Sequence, residues 1–413
     1  MPQQKKEHAT QETNEVTVLD RTFVQDPWAI YQRLRATGPV QRVLVPGGVP
    51  MWLVTSYADA RALLADPRLS KDYEGIRELF PPGRAGTYES PMAAHMLNSD
   101  PPAHTRLRTL VNQALAARTI GRLRPRIEGI ADELLDAMPA TSAGPGGPAV
   151  DLIEAYAFRL PITVICELLG VPAADRNDFQ AWSKAFVSAV PPHVVRDAER
   201  SVTAYLTALI DAKRVSPSDD LLSDLLHISG QPGQLWPDEL VRMAFLLLVA
   251  GFEPTASLIG NGVLALLRHP GQLSLLRSEP SRLPGAIEEL LRYEAPLHVA
   301  TMRYTTEPVV VAGTEIPDGA LVLISMLAAN RDAERFADPD ELDIARQDPG
   351  HLAFGHGIHY CAGAPLARLE GQIAIGRLLD RFPAMTLAGE AEELRWRGSV
   401  LMRSLSSLPV RLA

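Results

Sequence analysis

Residues 353–365 read Ala-Phe-Gly-His-Gly-Ile-His-Tyr-Cys-Ala-Gly-Ala-Pro, which sets Phe354, Gly357, Cys361 and Gly363 in the spacing F-x-x-G-x-x-x-C-x-G. With this chain's own use of Phe, Gly and Cys, such a match arises by chance in about 1 of 10³ to 10⁴ sequences of this length. The pattern suits a thiolate that ligates a metal held in a flat cofactor. Glycines let backbone approach a planar group and turn N–H groups toward sulfur, an aromatic can pack alongside, and a helix starting near Ala364 offers its positive end to an anion. Two other readings fit the same residues. One is a glycine-rich turn around a buried cysteine. The other is a zinc site from His351, His356, His359 and Cys361, although the paired-ligand spacings of zinc sites are missing. The second cysteine, Cys166 in the apolar run ITVICELLG, reads as core.

Three further groups carry possible chemistry. Glu289 and Arg292, in the text EELLR, stand at i and i+3 on one helix face, where they can pair, and a solvated surface pair gives the same text. His104 and Arg108, in DPPAHTRLR, stand four apart, so both can reach one anionic group or both can face water. Pro254 interrupts the helical stretch Val249–Leu258. It has no N–H for the carbonyl of Ala250, and a mid-helix proline costs about 3 kcal/mol, which predicts a break with a use.

These residues must be positioned by a chain of 413 residues, 46% of them hydrophobic, enough to bury a substantial core. Helical periodicity dominates: Pro27–Thr37, Tyr57–Asp66, His104–Ala116, Arg122–Ala137, Leu160–Leu169, Ala174–Val190, Asp197–Val215, Pro237–Arg268, Pro270–Glu279, Leu283–Tyr293 and Ala364–Arg381. Strand candidates are few: Val40–Leu44 with Met51–Thr55, then Met302–Val311 and Leu321–Met326. Loops are expected over Asp72–Asp100, Ala140–Ala149 and Asp338–Tyr360. The fold class is therefore mainly α with small β-sheets, without internal repeat or composition shift. Residues 1–15 read as a disordered N-terminus ahead of one domain over 16–413. They contain no segment of signal-peptide type, and the apolar run Met243–Gly251 is too short to span a bilayer, so a cytoplasmic protein without membrane contact is expected. Two distant cysteines exclude a disulfide framework. A formal charge of −9 argues against a nucleic-acid partner. Against that charge, Arg106, Arg108, Arg118, Arg122, Arg124 and Arg126 follow one another between Pro101 and Ile127 with no acid among them.

With these features together, the chain resembles the cytochrome P450 superfamily of haem-thiolate monooxygenases, whose cysteine-loop signature is the spacing from Phe354 to Gly363. The resemblance runs from DPWAIYQRLR to SVLMRSLSSLPVRL in the family's order. It implies Cys361 as the axial thiolate of haem b iron, within a loop shaped by Phe354, Gly357 and Gly363. It implies His104, Arg108, Arg303 and His359 on the haem propionates, a task for which the arginine fork is suited. Glu289 and Arg292 become two members of a Glu-Arg-Arg triad bracing the loop. Where the family often has its third arginine this chain has Glu341, so Arg335 or Arg346 must stand in. Ala250, Gly251 and Glu253 match the Ala/Gly-Gly-x-acid-Thr pattern of the helix over the oxygen-binding face. Pro254 takes the threonine's place in that catalytic stretch, and Thr255 is rotated about 100° around the helix.

The implied P450 fold is triangular and mostly helical, with haem between the long central helix and the cysteine-loop helix. Implied pocket walls are the Phe80–Leu97 loop with Met96 and Leu97, the helix text from Phe179, then Leu247, Val249, Ala250, Glu253 and Pro254, the LHVATM segment with His298 and Val299, and Val400 with Leu401. The expected activity is that of a soluble actinobacterial tailoring enzyme. It would hydroxylate or epoxidise a mid-sized, largely apolar natural product as a monomer. It would use molecular oxygen and electrons from NAD(P)H passed through ferredoxin reductase and ferredoxin. Two rivals are an oxidase of the same scaffold that forms an intramolecular C–N, C–O or C–C bond without inserting oxygen, and a non-enzymatic haem or ligand carrier.

Overall fold

In the computed structural model of the protein, the residues described are 16–115, 117–138, 149–187, 191–229, 235–347 and 350–412. The expected N-terminal tail and most of the Ala140–Ala149 stretch lie outside them. Helices make the bulk of the structure around one long central helix, Pro237–Arg268. Its start is encoded locally. Pro237 occupies the first turn, where its missing N–H costs nothing, and the Glu239 carboxylate accepts the N–H of Trp236 at 2.9 Å. This helix is long and apolar enough to cross a membrane by length and composition, over a stretch longer than the Met243–Gly251 run. Residues Thr255 to Leu266 are buried inside the protein instead. The cysteine-loop helix, Ala364–Arg381, lies against it at two glycines: a Cβ on Gly371 would sit 2.9 Å from Leu258 Cδ2, and one on Gly262 would sit 3.0 Å from Ile375 Cδ1.

The small sheets hold the rest of the frame. The largest has the order Thr17–Val18, Val40–Val45, Val49–Val54, Leu321–Ile324, Arg303–Thr305, Leu69–Ser70. The expected strand Met302–Val311 is two strands in two sheets. Arg303–Thr305 joins the large sheet, whereas Val309–Val311 pairs with Thr314–Ile316. Between them Pro308 has no N–H to continue a ladder, and Thr306 N–H turns to the carbonyl of Arg68 at 2.9 Å. The expected loop Asp72–Asp100 contains the helix Tyr73–Glu78 and three single turns, and a helix at Leu221–Ser229, capped by Asp220, was not legible from periodicity over so few residues.

Candidate active site

The cysteine loop is shaped by positions that only glycine fills. Gly357 has φ +74°, and a Cβ there would meet Leu64 O at 2.8 Å. The loop closes through Cys361 N–H, which donates to Phe354 O at 2.9 Å. Burial pushes the Cys361 thiol up, while the N–H groups of Gly363 and Ala364 and the charges of Arg108 and Arg368 pull it back toward thiolate. Phe354 lies beside this loop, 4.5 Å beneath the Arg368 guanidinium. Arg368 in turn forks onto Glu288 at 2.7 and 2.8 Å, and His351 reaches the same carboxylate at 3.2 Å. Those partners hold Glu288 down at about 2, against the penalty of burial. His351 is thus already bonded, and His359 stacks on His104 instead of converging with Cys361. Among the described residues no group of three His, Cys, Asp or Glu could hold a metal ion, which removes the zinc reading.

Glu289 and Arg292 form a fully buried bidentate pair, both contacts at 2.8 Å. The third member is Arg346, whose Nε donates to Glu289 Oε2 at 3.2 Å. Arg335 stacks instead on Phe336 and Tyr57, at 4.9 and 5.4 Å. The remaining donors of Arg292 go to the carbonyls of Asn330, Pro339 and Glu341, so the pair clamps the segment leading into the cysteine loop. Position 341 therefore contributes through its backbone, which is why a glutamate is tolerated there.

The other four expected anion-binding residues converge. His104 and His359 rings lie 4.2 Å apart, and the Nε2 of each is buried without a partner. Arg303 is 3% exposed and donates only to the carbonyl of Thr301, at 2.8 Å. Arg108 adds its charge to the same group, and burial among these cations drives His359 down to about 2, hence neutral. Sequence reading missed a fifth member, Lys71. It is fully buried, its Nζ bonded to Thr301 Oγ1. No spacing rule flags it, because its role depends on a sheet pairing between residues far apart in sequence. Among the described residues the one acid nearby is Asp100, whose carboxylate accepts from Ser70 Oγ and Lys71 N–H. Arg108, Arg303 and Lys71 stand against this one carboxylate, and buried unpaired positive charge is costly. The donor set suits an anionic ligand.

Opposite the cysteine loop, the central helix presents a different surface. Ala250 is exposed although the following turns are buried, and Leu247 and Glu253, three residues to either side, share its face and are half-buried. The helix runs through Pro254 without the expected break in its bounds. Gly251 and Thr255 lie on another face. A Cβ on Gly251 would meet Ile165 Cδ1 at 2.9 Å, and the buried Thr255 hydroxyl folds back to the carbonyl of Gly251 at 3.4 Å. Thr255 therefore does not replace the missing alcohol. Burial pushes the Glu253 carboxyl up to about 7, opposed only by the charge of Arg397.

Of the other expected walls, Leu401 is 38% exposed, Val400 and Leu97 are half-buried, Met96 and Val299 are buried, and Val249 packs in the main core. His298 does not serve as a wall. It is fully buried against the Phe23 ring at 5.4 Å, because Val299 and Ser325 bridge and turn its side chain inward. Phe179 is likewise held in an aromatic cluster with Trp182 and Tyr205. The arginine run is also less bare than its sequence implies. Arg106 pairs with Glu239 and Arg126 with Glu167, acids on other helices, while Arg124 reaches Glu128 and Arg126 also reaches Glu133 further along their own helix.

A glycine-shaped cysteine loop and a buried cluster of basic side chains are parts that a haem-thiolate protein would need. The sequence pattern of the Cytochrome P450 family matches residues 193–408. The chain is 49% identical over 407 residues to cytochrome P450 107B1 of Saccharopolyspora erythraea, covering 97% of this chain and 99% of that one. The tirandamycin C-bound P450 monooxygenase TamI superposes with a TM-score of 0.89 at 49% identity, covering 96% of this chain and all of the other. CxnD, a P450 for C–S bond formation in chuangxinmycin biosynthesis, superposes with a TM-score of 0.86 at 36% identity, over 97% and 98% of the two chains. The chain belongs to the cytochrome P450 family. It is a P450 monooxygenase with the mainly α P450 fold and haem b as its cofactor. It uses molecular oxygen as cosubstrate and takes reducing equivalents from NAD(P)H through redox partners. The residues present fit that cofactor: its carboxylates suit the basic group around the orphaned His104 and His359 nitrogens, and Cys361 would supply the thiolate.

Proposed function

We propose that this enzyme hydroxylates or epoxidises a mid-sized, largely apolar natural product in secondary metabolism, with Cys361 as the iron ligand and His104, Arg108, Arg303 and His359 on the haem propionates. The observation that carries the reading is the exposed Ala250 on the central helix, flanked on its own face by the half-buried Leu247 and Glu253. A relative such as TamI, bound to tirandamycin C, supports the substrate class. Haem supplies oxygen activation when bound; the chain supplies protons and position. Thr255 is turned away, so the proton reaches the cleft from a polar group of the substrate or its bound water, with the Glu253 carboxyl, protonated below about pH 7, as reservoir. Residues 16–413 act as one domain, a cytoplasmic monomer, and an acidic ferredoxin docks over the cysteine loop near the exposed Arg122.

One observation favours a second reading. The missing alcohol weakens the usual route to oxygen insertion, and CxnD is named for bond formation; an oxidase that joins two atoms of its substrate would leave the same residues in place. Ligands found by a shift of the haem absorption band are turned over with reductase and ferredoxin, and the product is weighed. Gain of one oxygen atom supports the monooxygenase. Loss of two hydrogens with no oxygen gained overturns it in favour of the oxidase.

A further inference from the structure

Glu288 stands next to the Glu289 that anchors the brace, yet it serves a different neighbour. The two are adjacent on the helix Leu283–Tyr293 and so lie about 100° apart around it. Glu289 meets Arg292 and Arg346, which hold the segment ahead of the cysteine loop. Glu288 instead meets Arg368, from the helix that follows the loop. Arg368 sets Nε and Nη2 on this carboxylate at 2.7 and 2.8 Å, and Nη1 on the Tyr360 hydroxyl at 3.3 Å. Its guanidinium lies 4.5 Å from the centre of the Phe354 ring. Both of those contacts adjoin the sulfur's residue: Tyr360 precedes Cys361 in the chain, and the Phe354 carbonyl accepts the Cys361 N–H at 2.9 Å.

Arg368 thus touches the loop on one side and an acid on the other. Its charge is one of those that draw the Cys361 thiol toward thiolate. His351 secures the acid. Its Nδ1 accepts the N–H of Ala353 at 3.1 Å, which leaves Nε2 to donate to Glu288 Oε2 at 3.2 Å. Held by three donors, Glu288 stays ionised. Arg368 and Glu288 are 31% and 21% exposed, so solvent screens the pair only in part. A cation beside a ligand sulfur favours the more negative state of a metal site, and uptake of one electron adds one negative charge there.

We infer that Glu288 is a positioning residue for the reduction potential: it holds Arg368 against Phe354 and Tyr360 and offsets its charge, so the haem iron accepts its electron at a lower potential than the unpaired cation would set. The inference rests on Cys361 as the iron ligand. Arg368 acts on the sulfur, and Glu288 acts through Arg368.

The two halves of the pair therefore predict shifts of opposite sign. Midpoint potentials are read by dye-mediated spectroelectrochemical titration of the holoenzyme without ligand or ferredoxin. Glu288→Gln keeps the size of the side chain and an acceptor for Arg368. It should raise the ferrous-to-ferric ratio at a fixed potential roughly three- to tenfold, a midpoint up to about 59 mV higher. Arg368→Met leaves Glu288 uncompensated and should lower that ratio by a similar factor. The variant carrying both changes should return to within about twofold of wild type, and Arg368→Lys, which keeps the charge, should stay there as well. Unchanged midpoints, shifts of the same sign in the two single variants, or a double variant that does not return would each overturn the assignment and leave the pair a brace of the loop. Loss of the thiolate carbon monoxide band in Glu288→Gln, with the band present in the parent protein, would overturn it too. Absence of that band in the parent protein would instead overturn Cys361 as the iron ligand.

Discussion

The two walls of the haem cleft are built on opposite terms. On the cysteine side nearly every polar group is bonded: Glu288 takes Arg368 and His351, Glu289 takes Arg292 and Arg346, and Cys361 is held through Phe354. On the central-helix side the exposed face around Ala250 is apolar, with Glu253 as its acid. The difference fits what we propose each wall holds. A ligand sulfur has to stay in one place through every turnover, so its loop is over-determined. A substrate has to enter and leave, so its wall offers area and few directional bonds.

Damage to the two walls should differ in kind. The largest effect belongs to Cys361→His, which should abolish the red-shifted band of the reduced protein with carbon monoxide; a band unchanged by the substitution would remove Cys361 from the iron. Next is the brace. Glu289→Gln leaves the Arg292 and Arg346 charges buried without their carboxylate, which should cost about 3–5 kcal/mol, visible as a lower denaturation midpoint and as protein recovered without haem.

On the other wall, Glu253 should act through protonation and not through the fold. Its carboxyl titrates near 7 in the folded protein and in the ordinary carboxylate range when unfolded. Between about pH 4.5 and 7 the folded form therefore keeps a proton that the unfolded chain releases. Stability should fall as pH rises through that window, by up to about 3 kcal/mol, and level off above it. Glu253→Gln should flatten that slope in denaturation curves recorded across the window, and the slope persisting in the variant would contradict the assignment.

Smaller still is Thr255→Ala. With its hydroxyl folded onto Gly251, the variant should keep most of the product formed per NADPH consumed, while a substrate analogue lacking its hydroxyl or N–H should divert reducing equivalents to hydrogen peroxide. The reverse result would make Thr255 the proton donor. The smallest effect is expected from Arg122→Glu. Arg106, Arg124 and Arg126 are already paired, so only a modest slowing of reduction by ferredoxin should appear, fading as salt rises, with ligand binding unchanged. Equal reduction rates at all salt concentrations would remove this surface from the docking site.

Much of this was legible before any coordinates. Helical periodicity placed the central and cysteine-loop helices with the bounds observed, Pro237–Arg268 and Ala364–Arg381, because long amphipathic segments advertise their period. The cysteine loop was legible because glycine positions with positive φ and a ligand sulfur leave a fixed local spacing. Helix arithmetic alone turned Thr255 away from the face of Ala250. What the tertiary structure decided were the partners across the chain. It chose Arg346 over Arg335 as the second arginine on Glu289, since 57 residues separate the two groups and no local spacing connects them. It turned His298 from a pocket wall into core, gave Arg106 and Arg126 acids on other helices, and brought Lys71 beside Arg303. Each of these depends on which elements lie side by side. Periodicity and motif spacing describe a chain against its own neighbours in sequence, whereas a buried charge is balanced by whatever the fold places within a few ångströms of it.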